Sequence, residues 1–289
     1  MSIQIKDLTV RFKRVTAVDH VSAEIPCGIY GLLGENGAGK TTLMRVLTTV
    51  IKPNTGSVAI DELIYNAGNE AKIRKQIGYL PQEIELYPNL TVRECLEYMG
   101  ELSQIKKEEL KKRIDCYLKK TSLTEHQRKK MKQLSGGMKR RVGLIQAMLG
   151  NPRFLIVDEP TTGLDPEERI RIRNLLVEFS QDRTVLFSTH IVEDLAATCS
   201  YLSVMKKGKF IYSGSILELL NQARGKVWNC HVANESEIKQ LENQYKTVGK
   251  QYVEDGILIK VISECRPEVS CESAKITLED AYIYITSQA

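Results

Sequence analysis

The 289-residue sequence holds no run approaching the 18 or more apolar residues of a membrane span. That excludes a bundle of membrane helices. The opening stretch, MSIQIKDLTVRFKR, mixes charge into alternating apolar residues and is no signal peptide, so the chain is expected to be cytosolic. Its seven cysteines form no C-x-x-C pair. Zinc and disulfide frameworks are therefore weak readings, and small core residues in a reducing compartment are the better one. No sustained heptad run appears, which argues against a long coiled coil. The net charge is only +5, but it is uneven: residues 106–141 carry fourteen Lys/Arg and four Asp/Glu, leaving the remainder slightly acidic.

What is present begins with ordinary globular composition, 42% hydrophobic and 27% charged, in a chain long enough for one large domain and a small one. Residues 21–33, VSAEIPCGIYGLL, end in an apolar run that reads as a buried strand. Gly34-Glu35-Asn36-Gly37-Ala38-Gly39-Lys40-Thr41 follows, matching G-x-x-x-x-G-K-[ST], and Thr42 continues into a helical pattern. Strand, glycine loop and helix form the context in which backbone N–H groups cradle phosphate. Lys40 is expected to reach the β- and γ-phosphates of a nucleotide, and the Thr41 hydroxyl to ligate Mg²⁺. A glycine-rich turn matching by chance would lack the flanking elements.

A phosphate loop needs a carboxylate for the metal. In RFLIVDEP, Phe154 to Val157 read as a buried parallel strand with Asp158 at its carboxyl end, where α/β sheets place ligands. Glu159 follows at once. The pair divides into a metal holder, Asp158, and a group that orients the attacking water, Glu159. An acid after a strand also serves as a helix cap or turn residue. TVLFSTH gives another strand ending at His190, placed either to hydrogen-bond the γ-phosphate or merely to pack. Gln82, after the strand in IGYLPQ, can reach Mg²⁺ or water, or is a surface amide.

A second anion-shaped segment lies at LSGGMKRR. Ser135 caps a helix expected over 136–149, with Val142, Ile145 and Leu149 facing a core. Gly136 and Gly137 leave its N-terminal N–H groups open to an anion. In order, GENGAGKTT, Gln82, LSGGMKRR, FLIVDEP, TGLD and His190 resemble the ATP-binding cassette (ABC) ATPases, over roughly residues 1–218. The resemblance implies an α/β P-loop cassette: a RecA-like core, an antiparallel β subdomain and a helical subdomain inserted at about 84–150. It also implies that two cassettes pack head to tail, so that Ser135, Gly136, Gly137 and Met138 cap the ATP held by the other chain. The commonest family signature has Gln where this chain has Met138. Asp165, in TGLDPEER, reads as an N-cap with Pro at N1 and Glu168 at N3, and the resemblance adds a coupling role across the dimer. Phe12 occupies the family's stacking position for adenine, with Val18 completing the wall; a core-facing strand residue is the plain alternative.

In the inserted region, TVRECLEYMGEL opens with a capping box, Thr91 and Glu94. SQIKKEELKKRIDCYLKK sets Ile105, Leu110, Ile114 and Tyr117 on one side. The basic excess reads first as a solvated face and second as attraction to an anionic leaflet. Nucleic acid is not expected, since no binding motif accompanies the charge. From 219 to 289 the pattern becomes a small α+β module: strand KVWNCHVA, helix NESEIKQLENQY, a hairpin turning at Asp255-Gly256, and a final helix capped by Thr277. Its closing LEDAYIYIT resembles the tail of exporter-type cassettes of drug, antibiotic or lipid efflux. The resemblance thus implies an ATP-hydrolysing subunit, peripheral at the inner face of the cell membrane. Its partners would be a second cassette, identical or paralogous, and a separate transmembrane permease. The rivals are a soluble ABC ATPase acting on ribosomes or chromosomes, and a non-hydrolysing regulatory cassette.

Overall fold

The structure, a computed structural model, describes residues 2–253 and 256–288. The chain divides into two compact units within one strand, between Phe210 and Ile211, upstream of the change in sequence pattern at 219.

The first unit opens with β1 (Ile3–Phe12) and β2 (Val15–Ile25), an antiparallel pair. β3 (Gly28–Leu33) then leads through the glycine loop into α1 (Lys40–Leu47). β4 (Thr55–Ile60) and β5 (Leu63–Ile64) return to the first sheet, whose order is β2-β1-β4-β5. After α2 (Glu70–Arg74) and β6 (Ile77–Leu80) come three helices, α3 (Val92–Leu102), α4 (Lys107–Lys120) and α5 (Gly136–Leu149). The chain then alternates: β7 (Phe154–Asp158), α6 (Pro166–Phe179), β8 (Thr184–Thr189), α7 (Val192–Ala196), β9 (Tyr201–Lys206) and β10 (Lys209–Ser215).

The second sheet has the order β10-β9-β3-β8-β7-β6. The pairs β9–β3, β3–β8, β8–β7 and β7–β6 are parallel. Every residue of β7 and β8 is buried, which is why their centres, FLIV and VLF, read as continuous apolar runs rather than alternating ones. Leu43, Met44 and Leu47 of α1 join Ile3, Ile5 and Leu8 of β1 and Phe154 and Ile156 of β7 in one core. Burying each such side chain contributes about 1.5–3 kcal/mol. The three-helix insertion has a core of its own, with Leu96, Leu110, Ile114, Leu118, Val142 and Ile145.

Local signals set the helix starts. Thr91 accepts from the Glu94 N–H while the Glu94 carboxylate takes the Thr91 N–H, completing the capping box of α3. Asp165 caps α6 through the Glu168 N–H at 2.8 Å, with Pro166 at the first helical position.

The second unit contains α8 (Ile216–Gln222), β11 (Val227–Val232), α9 (Glu235–Gln244), β12 (Lys246–Val253), β13 (Gly256–Ile262), β14 (Cys271–Ser273) and α10 (Leu278–Gln288). Its antiparallel sheet runs β12-β13-β11-β14. Of the expected hairpin turn, Asp255 lies outside the described residues. Thr277 caps α10 through the Asp280 N–H. The cysteines depart from the core expectation. Cys95, Cys230 and Cys271 are buried, but Cys27, Cys116 and Cys265 are exposed, because they sit between elements or on the outer face of α4.

Candidate functional site

The glycine loop lies between β3 and α1. Gly37 and Gly39 have φ of 81° and 110°, in the left-handed region that favours glycine. A Cβ at Gly39 would fall 2.2 Å from the Ala17 carbonyl oxygen, so the loop lies directly on the backbone of β2. The two are also tied through Gly208, whose N–H donates to the Ala38 carbonyl while its own carbonyl accepts from the Asp19 N–H. A cleft of about 600 Å³ opens over the loop, lined by residues 35–42 together with Val15, Thr16, Ala17, Gln82 and Glu159.

Lys40 is buried at the base of this cleft. Its Nζ donates to the carbonyls of Gly34 (2.6 Å) and Glu35 (3.0 Å) and lies 3.7 Å from Glu159 Oε1. Burial lowers its pKa below the ordinary lysine value, against the opposing pull of Glu159 and Asp158. His190 Nδ1 lies 3.2 Å from the same Glu159 oxygen. Thr162 Oγ1 donates to Glu159 Oε2 at 3.0 Å. Glu159 is itself buried and has a φ of 49°, unusual for a residue with a side chain. It is held there by two bonds from its N–H, to Ser188 Oγ (3.0 Å) and to the Ser188 carbonyl (3.1 Å).

Asp158 is fully buried. Ser188 Oγ donates to its Oδ1 at 2.5 Å, while Oδ2 is buried without a hydrogen-bond partner. An orphaned carboxylate oxygen in the interior is costly unless a cation or its water shell meets it. A hard divalent cation such as Mg²⁺ fits that oxygen donor.

The structure thus brings together Glu35 to Thr42, Gln82 and Glu159 around one cleft, with Asp158 and His190 joined through Glu159 and Ser188. The signature lies elsewhere: Ser135, Gly136, Gly137 and Met138 do not line the cleft. Ser135 Oγ accepts from the Met138 N–H at 3.2 Å, so the capping expectation holds locally. A Cβ on Gly137 would approach Glu168 Oε2 at 2.7 Å, which seats the signature against α6. Met138 packs on the helical core. Phe12 is 50% exposed at the end of β1, opposite Val15, and stands open to stacking.

Val18 corrects the sequence expectation. It is fully buried opposite Val10 and packs in the core, where the register shifts between β1 and β2 on either side of that pair turn it inward; Val15, Thr16 and Ala17 line the cleft instead.

Sequence reasoning missed several groups. Arg140, taken with the basic excess as a solvated residue, sends Nη1 to the Gln82 carbonyl (2.8 Å) and Nη2 to the carbonyls of Asp158 and Glu159. Arg141 is buried and reaches the Thr121 carbonyl and Glu168. A signal was available: apolar residues at 142, 144, 145 and 147–149 occupy most of the helix circumference, leaving the arginines before them little room for a fully solvated face. Ser188 gave no local sign. Nor did buried Asp194, which accepts from Thr161 (2.6 Å) and Arg173 (3.1 Å) and ties the segment after Glu159 to α7.

Residues 18–162 match the ABC transporter family. The chain is 33% identical to the linearmycin resistance ATP-binding protein LnrL of Bacillus subtilis, over 77% of this chain and 72% of that one. It is 30% identical to the methionine import ATP-binding protein MetN 2 of Listeria monocytogenes, over 89% and 77%. Among solved structures it resembles the dimeric post-hydrolysis state of the cassette MJ0796 bound to ADP and Pi. The TM-score is 0.68 and the identity 27%, covering 74% of this chain and 98% of that one.

Proposed function

The chain belongs to the ATP-binding proteins of ABC transporters and is an ATPase; from that premise we propose that it drives export through a separate transmembrane partner. The observation that carries the hydrolytic part is the Glu159 carboxylate, held between Lys40 and His190 beside the open oxygen of Asp158.

The glycine loop receives the phosphates through its N–H groups and the N-terminus of α1. Lys40 exchanges its contact with Glu159 for the β- and γ-phosphate oxygens. Thr41, Gln82 and Asp158 are the residues that would hold Mg²⁺, which neutralises phosphate charge when bound. Glu159, released from Lys40, accepts a hydrogen bond from the attacking water and aims it at the γ-phosphorus. His190 donates to the γ-phosphate. Phe12 stacks on adenine.

The signature's place outside the cleft of its own chain supports a composite site. A second cassette, identical or paralogous, would present its Ser135 and the N–H groups of Gly136 and Gly137 to this chain's γ-phosphate. Asp165 would sit at that interface and couple the two sites. Among the described residues no helix is long and apolar enough to cross a membrane, which fits a path supplied by a permease. The chain would then sit peripherally at the cytoplasmic face of the membrane. The domain reading follows the same lines: a cassette over 1–218 and an α+β module over 219–289.

Export is favoured by the basic run after Met138, by the tail LEDAYIYIT, and by a relative named for linearmycin resistance. The test is to tag the chain in its native host, solubilise the membranes gently and identify what co-purifies. A stoichiometric multi-span protein, reconstituted with the chain in vesicles, should move substrate away from the ATP-hydrolysing side. Movement toward that side would replace export by import. A chain that co-purifies only with ribosomes or DNA would overturn the transport reading and leave the ATPase chemistry standing.

A further inference from the structure

Arg140 leaves the first turns of the signature helix and reaches three carbonyl oxygens on two other segments. Nη1 takes the Gln82 carbonyl after β6, and Nη2 takes both Asp158 at the end of β7 and Glu159 beyond it. One planar fork therefore joins the helical insertion, the loop carrying Gln82 and the backbone of the catalytic carboxylate. The bonds lie in a partly buried setting where charge-assisted hydrogen bonds are strong. The contact with Glu159 falls on a residue whose φ of 49° costs about 1–2 kcal/mol. The carbonyl of such a residue points where an ordinary strand carbonyl would not. Arg140 meets it there, while Ser188 holds the N–H on the other side.

The adjacent arginine does something else. Arg141 bonds the Thr121 carbonyl and Glu168, fixing α5 against α4 and α6 without touching the acid. The helix position of Arg140 is set by its neighbours Val142, Ile145 and Leu149, which belong to the helical core. A displacement of that core is therefore carried through Arg140 to the Glu159 backbone.

We propose that Arg140 is a positioning residue for hydrolysis: it holds the Glu159 backbone, and with it the carboxylate, in register with the helical insertion and the Gln82 loop. The proposal rests on the ATPase reading and adds a residue that acts on turnover rather than on nucleotide capture. A lysine keeps the charge but cannot span the Gln82 carbonyl and the Asp158–Glu159 pair with one planar fork.

The experiment uses the full chain. Steady-state Mg-ATP hydrolysis and binding of a fluorescent ATP analogue are compared for wild type, Arg140→Met, Arg140→Lys and the exposed charge control Lys119→Met. Arg140→Met should lower kcat about tenfold to a hundredfold, the scale of one or two charge-assisted bonds, with nucleotide Kd within about twofold of wild type. Arg140→Lys should fall between wild type and Arg140→Met in kcat, with KM unchanged. Backbone amide exchange over 158–163 should accelerate in Arg140→Met while exchange in the helical core stays as in wild type. Wild-type kcat in Arg140→Met overturns the proposal, and so does a loss of nucleotide binding that matches the loss of rate. If Arg140→Met does not fold, Arg140→Lys decides: a drop in kcat at constant KM supports the proposal, and wild-type kcat overturns it. A wild-type chain that does not hydrolyse ATP would sink the ATPase reading first, whereas an active wild type equalled by both variants sinks this inference alone.

Discussion

His190 Nδ1 and Glu159 Oε1 lie 3.2 Å apart, and Lys40 Nζ approaches the same oxygen at 3.7 Å. The carboxylate that should activate water is thus engaged by two groups that should also face phosphate. Glu159→Gln keeps the hydrogen-bonding shape and removes the base. It should retain Mg-ATP binding, lose about 10²–10⁴-fold in turnover, and accumulate as an ATP-bound dimer in light scattering. Wild-type turnover would contradict the role of Glu159 as base, and a mutant that stays monomeric at high concentration with ATP would contradict the composite site.

Ser188 stands behind both acids, donating to Asp158 and accepting from the Glu159 N–H. Ser188→Ala leaves a buried carboxylate oxygen without its donor. It should cost about 1–3 kcal/mol in urea unfolding and raise the Mg²⁺ concentration needed for half-maximal hydrolysis. Unchanged stability together with an unchanged Mg²⁺ requirement would show that Asp158 is oriented by something else.

Two helix caps titrate. The Thr91 N–H and hydroxyl hold the Glu94 carboxyl below the usual glutamate range, and Ser215 does the same for Glu218. A folded pKa below the unfolded one means the cap's contribution is complete above the ordinary glutamate pKa and fades as pH falls through the lowered one. Carboxyl titration by NMR should show both midpoints depressed, with Glu94 moving only part of the way back in Thr91→Ala, which removes the hydroxyl but keeps the backbone N–H. A normal midpoint in the wild type would remove the capping box from solution.

The thiols should separate into classes. Cys27, Cys116 and Cys265 are exposed and should react quickly with a small alkylating reagent. Burial pushes Cys199 up to about 12, and burial followed by the facing Cys271 thiol pushes Cys230 up to about 11. A raised pKa leaves little thiolate at neutral pH, so these two, with buried Cys95 and Cys271, should react only on unfolding. Mass mapping of labelled peptides over time checks this; rapid native labelling of Cys230 would refute it.

What could be read from the sequence was local. The glycine loop, the strand before Asp158 and the caps at Thr91, Ser135 and Asp165 each announce themselves within ten or so neighbouring residues. Backbone geometry there depends on spacing alone. The readings that failed depend on distant pairing. Val18 directly follows three residues that line the cleft, and the register shifts against β1 on either side of its pairing with Val10 turn it inward. Ser188 and Asp158 are thirty positions apart, and a serine near a strand end carries no mark of the acid it will meet. Arg140 looked like one more cation in a basic stretch; its three carbonyl partners lie on segments brought to it only by the way α5 packs.

The left-handed backbone at Glu159 has a consequence for descent. Glycine adopts that geometry at no steric cost, and in the genetic code every glutamate codon is one base away from a glycine codon. Each copying of the gene therefore offers a change that relaxes the fold and silences the chemistry at once. A lineage released from the need to hydrolyse ATP would lose this residue well before it lost the protein.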